Sequence, residues 1–118
     1  MDSQRLGRKG EAVAAKYYLD RGFTLLEHNY RTRMGELDLI LRKGELLVIA
    51  EVKTRSSSTF GQPCEAVSPY KQKRMILAAR QYLRRFSQQE PRLRFDVVEV
   101  FPEQGRYRVH CIPAAFEG

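Results

Sequence analysis

The segment from residue 36 to residue 53 most constrains what this chain can fold into. It consists of two runs rich in Leu, Ile and Val, separated by a short polar turn that contains Gly44. Two such runs around a turn glycine are typical of a β-hairpin. A two-residue turn at Gly44 and Glu45, with glycine first as a type II′ turn prefers, would place Ile40 opposite Ile49. The sequence therefore predicts an antiparallel hairpin with a defined register.

Side-chain alternation gives this hairpin two faces of different chemistry. One face is apolar along its whole length and is predicted to face the core: Leu37, Leu39, Leu41, Leu46, Val48, Ala50 and Val52. The other face is apolar near the turn but carries Glu36, Asp38, Glu51 and Lys53 at its far end. In the predicted register Asp38 lies opposite Glu51, and such pairs have Cβ atoms about 4.5–5.5 Å apart. A one-residue shift would separate the two acids, so this prediction depends on the turn.

Two opposed carboxylates repel each other and lower stability unless a cation lies between them. A hard divalent ion such as Mg²⁺ binds through one or two carboxylates together with water and substrate phosphate, which makes Asp38 and Glu51 candidate metal ligands. Lys53 projects to the same side because strand periodicity is two. The alternative is that the acids are solvated charges at a strand end, with Lys53 paired to Glu51 across solvent. Spacing alone leaves both interpretations open.

Several motifs along nearly the whole chain resemble those of the YraN-like family of uncharacterised bacterial proteins. These motifs are Gly7-Arg8-Lys9-Gly10-Glu11, Asn29-Tyr30-Arg31, Gly35 to Leu39, Val48 to Arg55, Glu65-Ala66-Val67 and Arg94-Phe95-Asp96-Val97-Val98. Asp38 with Glu51-Val52-Lys53 is similar to the core motif of the PD-(D/E)XK nucleases, which include restriction endonucleases and archaeal Holliday-junction resolvases. One departure from the superfamily pattern is that Leu37, rather than proline, precedes Asp38.

The resemblance implies a restriction-endonuclease-like three-layer α/β fold, in which helices flank a central mixed β-sheet. Periodicity alone predicts only a generic α/β domain. Residues 1–118 would form one such domain, since 118 residues suffice for one core but not for two. The predicted elements are a helix from Ser3 to about Arg21, strands at 23–30, 35–41, 46–53, 94–101 and 106–112, and a helix from Pro69 to about Ser87 with Ser68 as its N-cap.

The resemblance also implies a set of catalytic roles. Asp38 and Glu51, with the main-chain carbonyl of Val52, would ligate Mg²⁺ or Mn²⁺. Lys53 would orient the attacking water or stabilise negative charge on the phosphate. Glu11, which matches a first-helix glutamate of the resolvase-like branch, would hold a second ion or orient the other ligands.

The sequence around Glu11 leaves a second interpretation open. Small residues surround it, so the first helix could approach the sheet closely and bring this acid near Asp38. Alternatively, Glu11 is a surface glutamate paired with Lys16 or Arg8.

Charge favours a polyanionic partner. The 21 basic and 14 acidic residues give a formal net charge of +7, which is typical of nucleic-acid-binding proteins among others. The helix from Pro69 is basic over its solvent face, with almost no acid. Candidate phosphate contacts are Arg55, Lys71, Lys73, Arg84 and Arg85, of which Lys71 or Lys73 would border the active site in the family's pattern.

The predicted function is therefore metal-dependent hydrolysis of phosphodiester bonds in DNA, with branched or otherwise structured DNA as a candidate substrate. A non-catalytic module that binds DNA or RNA on the same fold is the alternative, and an RNA endonuclease remains open. Junction-cutting relatives act as dimers, which leaves a homodimer open as the assembly. No apolar run approaches a membrane span and the N-terminus is polar, so we expect a cytoplasmic protein with no membrane partner and with Cys64 and Cys111 as reduced thiols.

Overall fold

The computed structural model describes residues 3–55, 67–86 and 91–118, and the side chains of residues 8–55, 67–85 and 91–118. Its elements are α1 (Ser3–Leu19), β1 (Thr24–Arg31), β2 (Glu36–Lys43), β3 (Leu46–Thr54), α2 (Pro69–Phe86), β4 (Arg92–Glu103) and β5 (Arg106–Phe116). The predicted order of helices and strands is confirmed, with β4 and β5 each longer than expected. Cys64, Glu65 and Ala66 lie outside the described residues.

The five strands form one mixed sheet in the order β1-β2-β3-β4-β5. Strands β3 and β4 are parallel, whereas the other neighbouring pairs are antiparallel. A parallel pair needs a crossover connection, and α2 lies in the segment that makes it. Helix α1 packs on one face of the sheet and α2 on the other. The predicted fold class is confirmed: the arrangement has three layers, α1, sheet and α2, and is compatible with a restriction-endonuclease-like fold.

The hairpin of β2 and β3 has the predicted register. Ile40 pairs with Ile49, and the ladder continues to Leu39 opposite Ala50. A type II′ turn requires a positive φ at its first central residue and a negative φ at its second. Gly44 has φ +59°, and Glu45 has no positive φ, as this turn requires. The next positions in this register are Asp38 and Glu51, so the turn brings the two acids together at the far end of the hairpin.

One detail of the predicted alternation is wrong. Leu39 packs on the α1 side as expected, but Leu37 packs on the α2 side, where Tyr30 opposite it also packs. On β1, Asn29 lies between the partners of Leu39 and Leu37, and it has φ +50°, a left-handed conformation that interrupts a strand. The alternation is therefore broken at the level of Asp38, which a strict period of two does not anticipate.

Helix α1 approaches the sheet closely at Gly10, which is buried. A Cβ at this position would overlap the side-chain oxygen of Thr54 at the end of β3, so any larger residue would require the Thr54 side chain to move. Ala14, Ala15 and Tyr18 continue the buried face of the helix. The short distance between α1 and β3 confirms the prediction that small residues let the helix approach the sheet closely.

Helix α2 begins with the predicted cap, because Ser68 Oγ accepts a hydrogen bond from the Lys71 amide at 3.2 Å. Its fully buried side chains are Met75, Ala78, Ala79 and Tyr82. In the described part of the chain neither helix combines the length and apolarity that crossing a membrane requires.

Candidate active site

A cleft of about 410 Å³ opens where the far end of the β2–β3 hairpin meets the first turns of α2. Asp38 of β2 and Glu51 of β3 supply its acidic wall. Tyr70, Lys71 and Arg74 of α2 supply its other wall. We call it the carboxylate cleft. The hairpin register positions the acids, and the Ser68 cap starts the helix directly beside them.

Glu51 is buried, with 4% of its surface exposed. Its Oε1 accepts a hydrogen bond from Lys71 Nζ at 2.5 Å, whereas its Oε2 is buried without a partner among the described residues. A buried acceptor that makes no hydrogen bond costs about 1–3 kcal/mol, and more when it is charged. The arrangement therefore leaves this oxygen short of one cation or donor. The interpretation that pairs Glu51 with Lys53 is wrong, since Lys71 takes that place.

Asp38 lies beside Glu51 and is largely withdrawn from water. Its Oδ2 accepts a hydrogen bond from the Val52 amide at 2.8 Å. Burial, and then the charges of Glu51 and Glu11, raise the pKa of Asp38 to about 7, although the Val52 amide and Lys71 act in the opposite direction. A nearby positive charge would stabilise the ionised form of such a carboxyl.

Lys71 is the cation of the cleft that pairs with Glu51. Burial acts to lower the pKa of Lys71, but the hydrogen bond from its ammonium to Glu51 and the charges of Glu51 and Asp38 outweigh it and raise that pKa. Lys73, the other lysine expected near the site, is exposed and does not line the cleft. Two residues along a helix correspond to about 200° of rotation, so the two lysines point in different directions.

Lys53 and Arg55 lie at the end of β3, beside the cleft rather than in its lining. Lys53 is half-buried, and within the described part of the chain its side chain makes no hydrogen bond or ion pair. Arg55 donates from Nε to Glu99 Oε2 at 3.3 Å, and His110 Nδ1 lies 3.1 Å from the other oxygen of Glu99. Arg55 is thus held in place by a buried acid, whereas Lys53 lies two residues beyond Glu51 on the same strand and outside the lining of the cleft.

Glu11 lies in a different cleft, formed between α1 and β1 with Arg8 and His28 among its lining residues. It is half-buried, and its charge contributes to the raised pKa of Asp38, so the two acids are near each other electrostatically. Lys16, one partner considered for Glu11, pairs with Asp20 instead at 2.7 Å. The structure therefore brings two of the three predicted acids into one cleft and leaves Glu11 next to it.

The donor set in the cleft suits a hard divalent cation. Across residues 3–55, 67–86 and 91–118, no group of three or more His, Cys, Asp or Glu side chains converges to hold a metal. An ion between Asp38 and Glu51 would thus complete its shell with backbone carbonyl, water and substrate oxygens, as Mg²⁺ commonly does. The partnerless Oε2 of Glu51 supplies a free ligand atom for it.

Arg84 and Arg85 occupy the opposite end of α2, and both are exposed. Arg84 is thirteen residues beyond Lys71, a separation of about 20 Å along the helix axis. They belong to a surface that is separate from the carboxylate cleft.

Sequence reasoning missed two residues of the cleft, Tyr70 and Arg74. Arg74 was grouped with the basic face of α2, although its helical spacing of three from Lys71 places the two side chains on neighbouring positions. Tyr70 adjoins the Ser68 cap, and no sequence pattern marked it. Both would have been found by projecting the first turns of α2 onto the acidic end of the hairpin.

The residues of the carboxylate cleft lie in a region of the chain that matches a known protein family. The profile of Uncharacterised protein family UPF0102 matches residues 10–100. The chain belongs to this family. The matched range contains Glu11, the hairpin with its two acids and the whole of α2, so the carboxylate cleft is built entirely from family positions.

Relatives in this family match almost the full chain. A UPF0102 protein from Anaeromyxobacter dehalogenans is 47% identical over 115 residues, which cover 98% of this chain and 86% of the relative. Those from Desulforapulum autotrophicum and Symbiobacterium thermophilum are each 44% identical, covering 97% of this chain and 94% and 98% of the relatives. The names of these UPF0102 relatives state the family and no activity.

Proposed function

We propose that this UPF0102 protein is a metal-dependent endonuclease that hydrolyses phosphodiester bonds in DNA, and that its fold belongs to the PD-(D/E)XK nuclease superfamily. One observation carries the proposal: two acids lie side by side, and Oε2 of Glu51 is buried without a partner among the described residues. The second acid is Asp38, and burial together with the charge of Glu51 raises its pKa to about 7. Lys71 pairs with one of the two acids, and a metal cation bound between them would relieve the remaining repulsion and desolvation.

Asp38, Glu51 and the main-chain carbonyl of Val52 would hold the ion, either Mg²⁺ or Mn²⁺. When bound, the ion supplies Lewis-acid activation of the scissile phosphate and of the attacking water. Glu11, from its neighbouring cleft, would adjust the charge felt by Asp38 rather than add a ligand directly.

The cations around the cleft would bind and orient the substrate. Lys53 keeps an ammonium at the end of β3 that can stabilise negative charge on the phosphate or hold a water in place. Lys71 neutralises Glu51 while no substrate is present and can turn toward an incoming phosphate, since both its partners and its exposed fraction place it at the cleft surface. Arg74 adds a second positive group to the same wall.

The basic surface would also serve a non-catalytic module that binds DNA or RNA. The net charge of +7 and the basic far end of α2 favour binding of a phosphate backbone by either kind of protein. Two buried acids beside the lysines would weaken such a binder, because they repel phosphate. The acids thus support the enzyme over the binding module.

Calorimetric titration of Mg²⁺ and Mn²⁺ tests the metal site. We expect wild type to bind, and the double variant Asp38→Asn, Glu51→Gln to lose binding, with and without DNA. The matched control is Asp20→Asn with Glu103→Gln, which removes the same charge from two exposed acids outside the cleft. Absence of binding by wild type, even with DNA present, would contradict the proposal.

Cleavage of linear and branched DNA tests the chemistry. Glu51→Gln is expected to lower the cleavage rate by at least about 10²–10³-fold, because it removes a ligand of the ion that would stabilise charge at the reacting phosphate. DNA binding by this variant should be equal or tighter, since a negative charge near phosphate is gone. Normal cleavage by Glu51→Gln would remove Glu51 from the mechanism.

A further inference from the structure

Tyr70 stands at the rim of the carboxylate cleft with 72% of its surface exposed. It is the most exposed of the large hydrophobic side chains in the described part of the chain, whereas Tyr82 on the same helix is 8% exposed. An aromatic ring gains most of its interaction energy when an apolar or π surface covers it. A bare ring beside a site of charged groups therefore points to a ligand that has a flat face.

Arg74 holds the ring of Tyr70 in position. Its guanidinium lies 5.5 Å from the ring centroid, and Nη1 donates to the Tyr70 hydroxyl at 3.3 Å. The same guanidinium donates from Nη2 to the Arg33 carbonyl at 3.4 Å. The stem of Arg74 runs past Gly35, where an added Cβ would lie 3.5 Å from Arg74 Cβ. Because Arg74 links the ring to the β1–β2 turn, little side-chain entropy is lost when a ligand binds to it.

We infer that Tyr70 is a stacking platform for an unpaired nucleobase whose phosphate lies against Lys71 and Arg74. The substrate would accordingly be DNA with an unpaired nucleotide beside the scissile bond, such as a bulge or a single-stranded end. This inference rests on the proposed function.

Three features of the cleft support this choice of ligand. Lys71 and Arg74 favour a group that carries phosphate, and the acids favour one that arrives with a divalent cation. The exposed ring favours a flat π surface, and a nucleotide is the group that combines all three. In paired duplex both faces of every base are covered by their neighbours, so only an unpaired base can stack on a protein ring.

Binding in the presence of EDTA tests the inference without any contribution from cleavage. The probes are a fully paired duplex, a fully paired four-way junction, and a duplex with one bulged 2-aminopurine, all of equal phosphate number and at one stated salt concentration. We expect wild type to bind the bulged duplex most tightly and to change the 2-aminopurine fluorescence, which reports stacking. Tyr70→Ala should weaken binding of the bulged duplex by about 5- to 100-fold, with little change for the two paired probes.

Two further variants separate stacking from other roles. Tyr70→Phe keeps the ring and should keep the preference for the bulged duplex. Tyr107→Ala, which removes an exposed tyrosine of β5 outside the cleft, should leave all three affinities unchanged. Equal affinity of wild type for bulged and paired DNA, or an equal loss for all probes in Tyr70→Ala, would overturn the inference.

The outcomes distinguish this inference from the proposed function. A protein that binds Mg²⁺ and cleaves DNA but shows no preference for the bulge would remain a nuclease with no stacking platform. A protein that stacks the bulged base but neither binds metal nor cleaves would keep the platform as part of a binding module. A protein that binds none of the three probes, and that neither binds Mg²⁺ nor cleaves DNA, would refute both.

Discussion

Two buried acids on neighbouring strands of this sheet, Asp96 and Glu51, have very different surroundings. Asp96 of β4 pairs with Ala50, the residue next to Glu51 on β3, so the two acids lie at adjacent levels of the sheet. Asp96 belongs to the α1 side, where it meets Tyr18, whereas Glu51 belongs to the α2 side, where it meets Lys71. Both are almost completely withdrawn from water.

The hydrogen bonds of the two acids differ sharply. Asp96 accepts at both oxygens: Oδ1 from Arg94 Nε at 2.9 Å and the Ala114 amide at 3.0 Å, and Oδ2 from the Tyr18 hydroxyl and Arg94 Nη2, each at 2.8 Å. Glu51 has one partner at one oxygen and none recorded for the other within the described residues.

The difference is the one expected between an acid that joins parts of the fold and an acid that binds a ligand. A buried carboxylate with all its acceptor positions filled joins elements, here α1, β4 and the end of β5, and has no capacity left for a ligand. A buried carboxylate with an empty position beside a second acid stores unfavourable energy that a ligand can relieve. Burial by itself does not identify a site, because both acids are buried.

The largest expected effect compares the two acids directly. Asp96→Ala should lower the free energy of unfolding by about 3–5 kcal/mol, because it leaves Arg94 and the Tyr18 hydroxyl without their partner. Glu51→Gln should lower it by less than about 1 kcal/mol or raise it, because it removes a charge that is only half satisfied. Urea-induced unfolding measures both. Equal losses for the two variants would break the comparison.

The next effect concerns pH and Asp38. Burial, and then the charge of Glu51, raise the pKa of Asp38 from 3.8 to about 7. Between these values the folded chain keeps a proton that the unfolded chain has lost, so the stability of metal-free wild type falls as pH rises through this window. Asp38→Asn has no such proton. Its stability relative to wild type should therefore rise with pH across the window, by up to about 4 kcal/mol at about 1.4 kcal/mol per pKa unit.

Thermal or urea unfolding of wild type and Asp38→Asn at several pH values measures this dependence. Asp20→Asn is the matched control, since it makes the same replacement at an exposed acid outside the cleft. Added Mg²⁺ should restore wild type and leave Asp38→Asn unchanged. A difference between Asp38→Asn and wild type that does not vary with pH would show that Asp38 is not strained in the folded state.

The smallest effect tests whether the far end of α2 acts together with the cleft. If both arginines contact phosphates, Arg84→Ala with Arg85→Ala should reduce the slope of log affinity against log salt by up to about 1.8, at about 0.9 per contact. The control is Arg42→Ala with Arg92→Ala, two exposed arginines outside the cleft, which removes the same charge. Equal slopes for wild type and both double variants would show that the far end of α2 faces solvent and does not contact phosphates.

The parts of the fold that could be predicted are those that local chemistry decides. The turn glycine and the alternation of β2 and β3 predicted the register, and the Ser68 cap predicted the start of α2. Leu37 was assigned to the wrong side because Asn29 on the neighbouring strand breaks the alternation, and a left-handed asparagine has no signature that a sequence pattern displays. The extra length of β4 and β5 comes from pairing of β4 with β3 at one end and with β5 at the other, which depends on contacts between strands.

For the candidate site, the sequence by itself determined that Asp38 and Glu51 face each other. Register follows from a two-residue turn and a period of two, and both are properties of one short segment. Only the tertiary structure decided that Lys71 rather than Lys53 pairs with Glu51, that Glu11 stands in the neighbouring cleft, and that Tyr70 reaches the rim with Arg74 against it. Each of these depends on where a helix lies across the sheet, and that position is set by packing among residues that are distant along the chain.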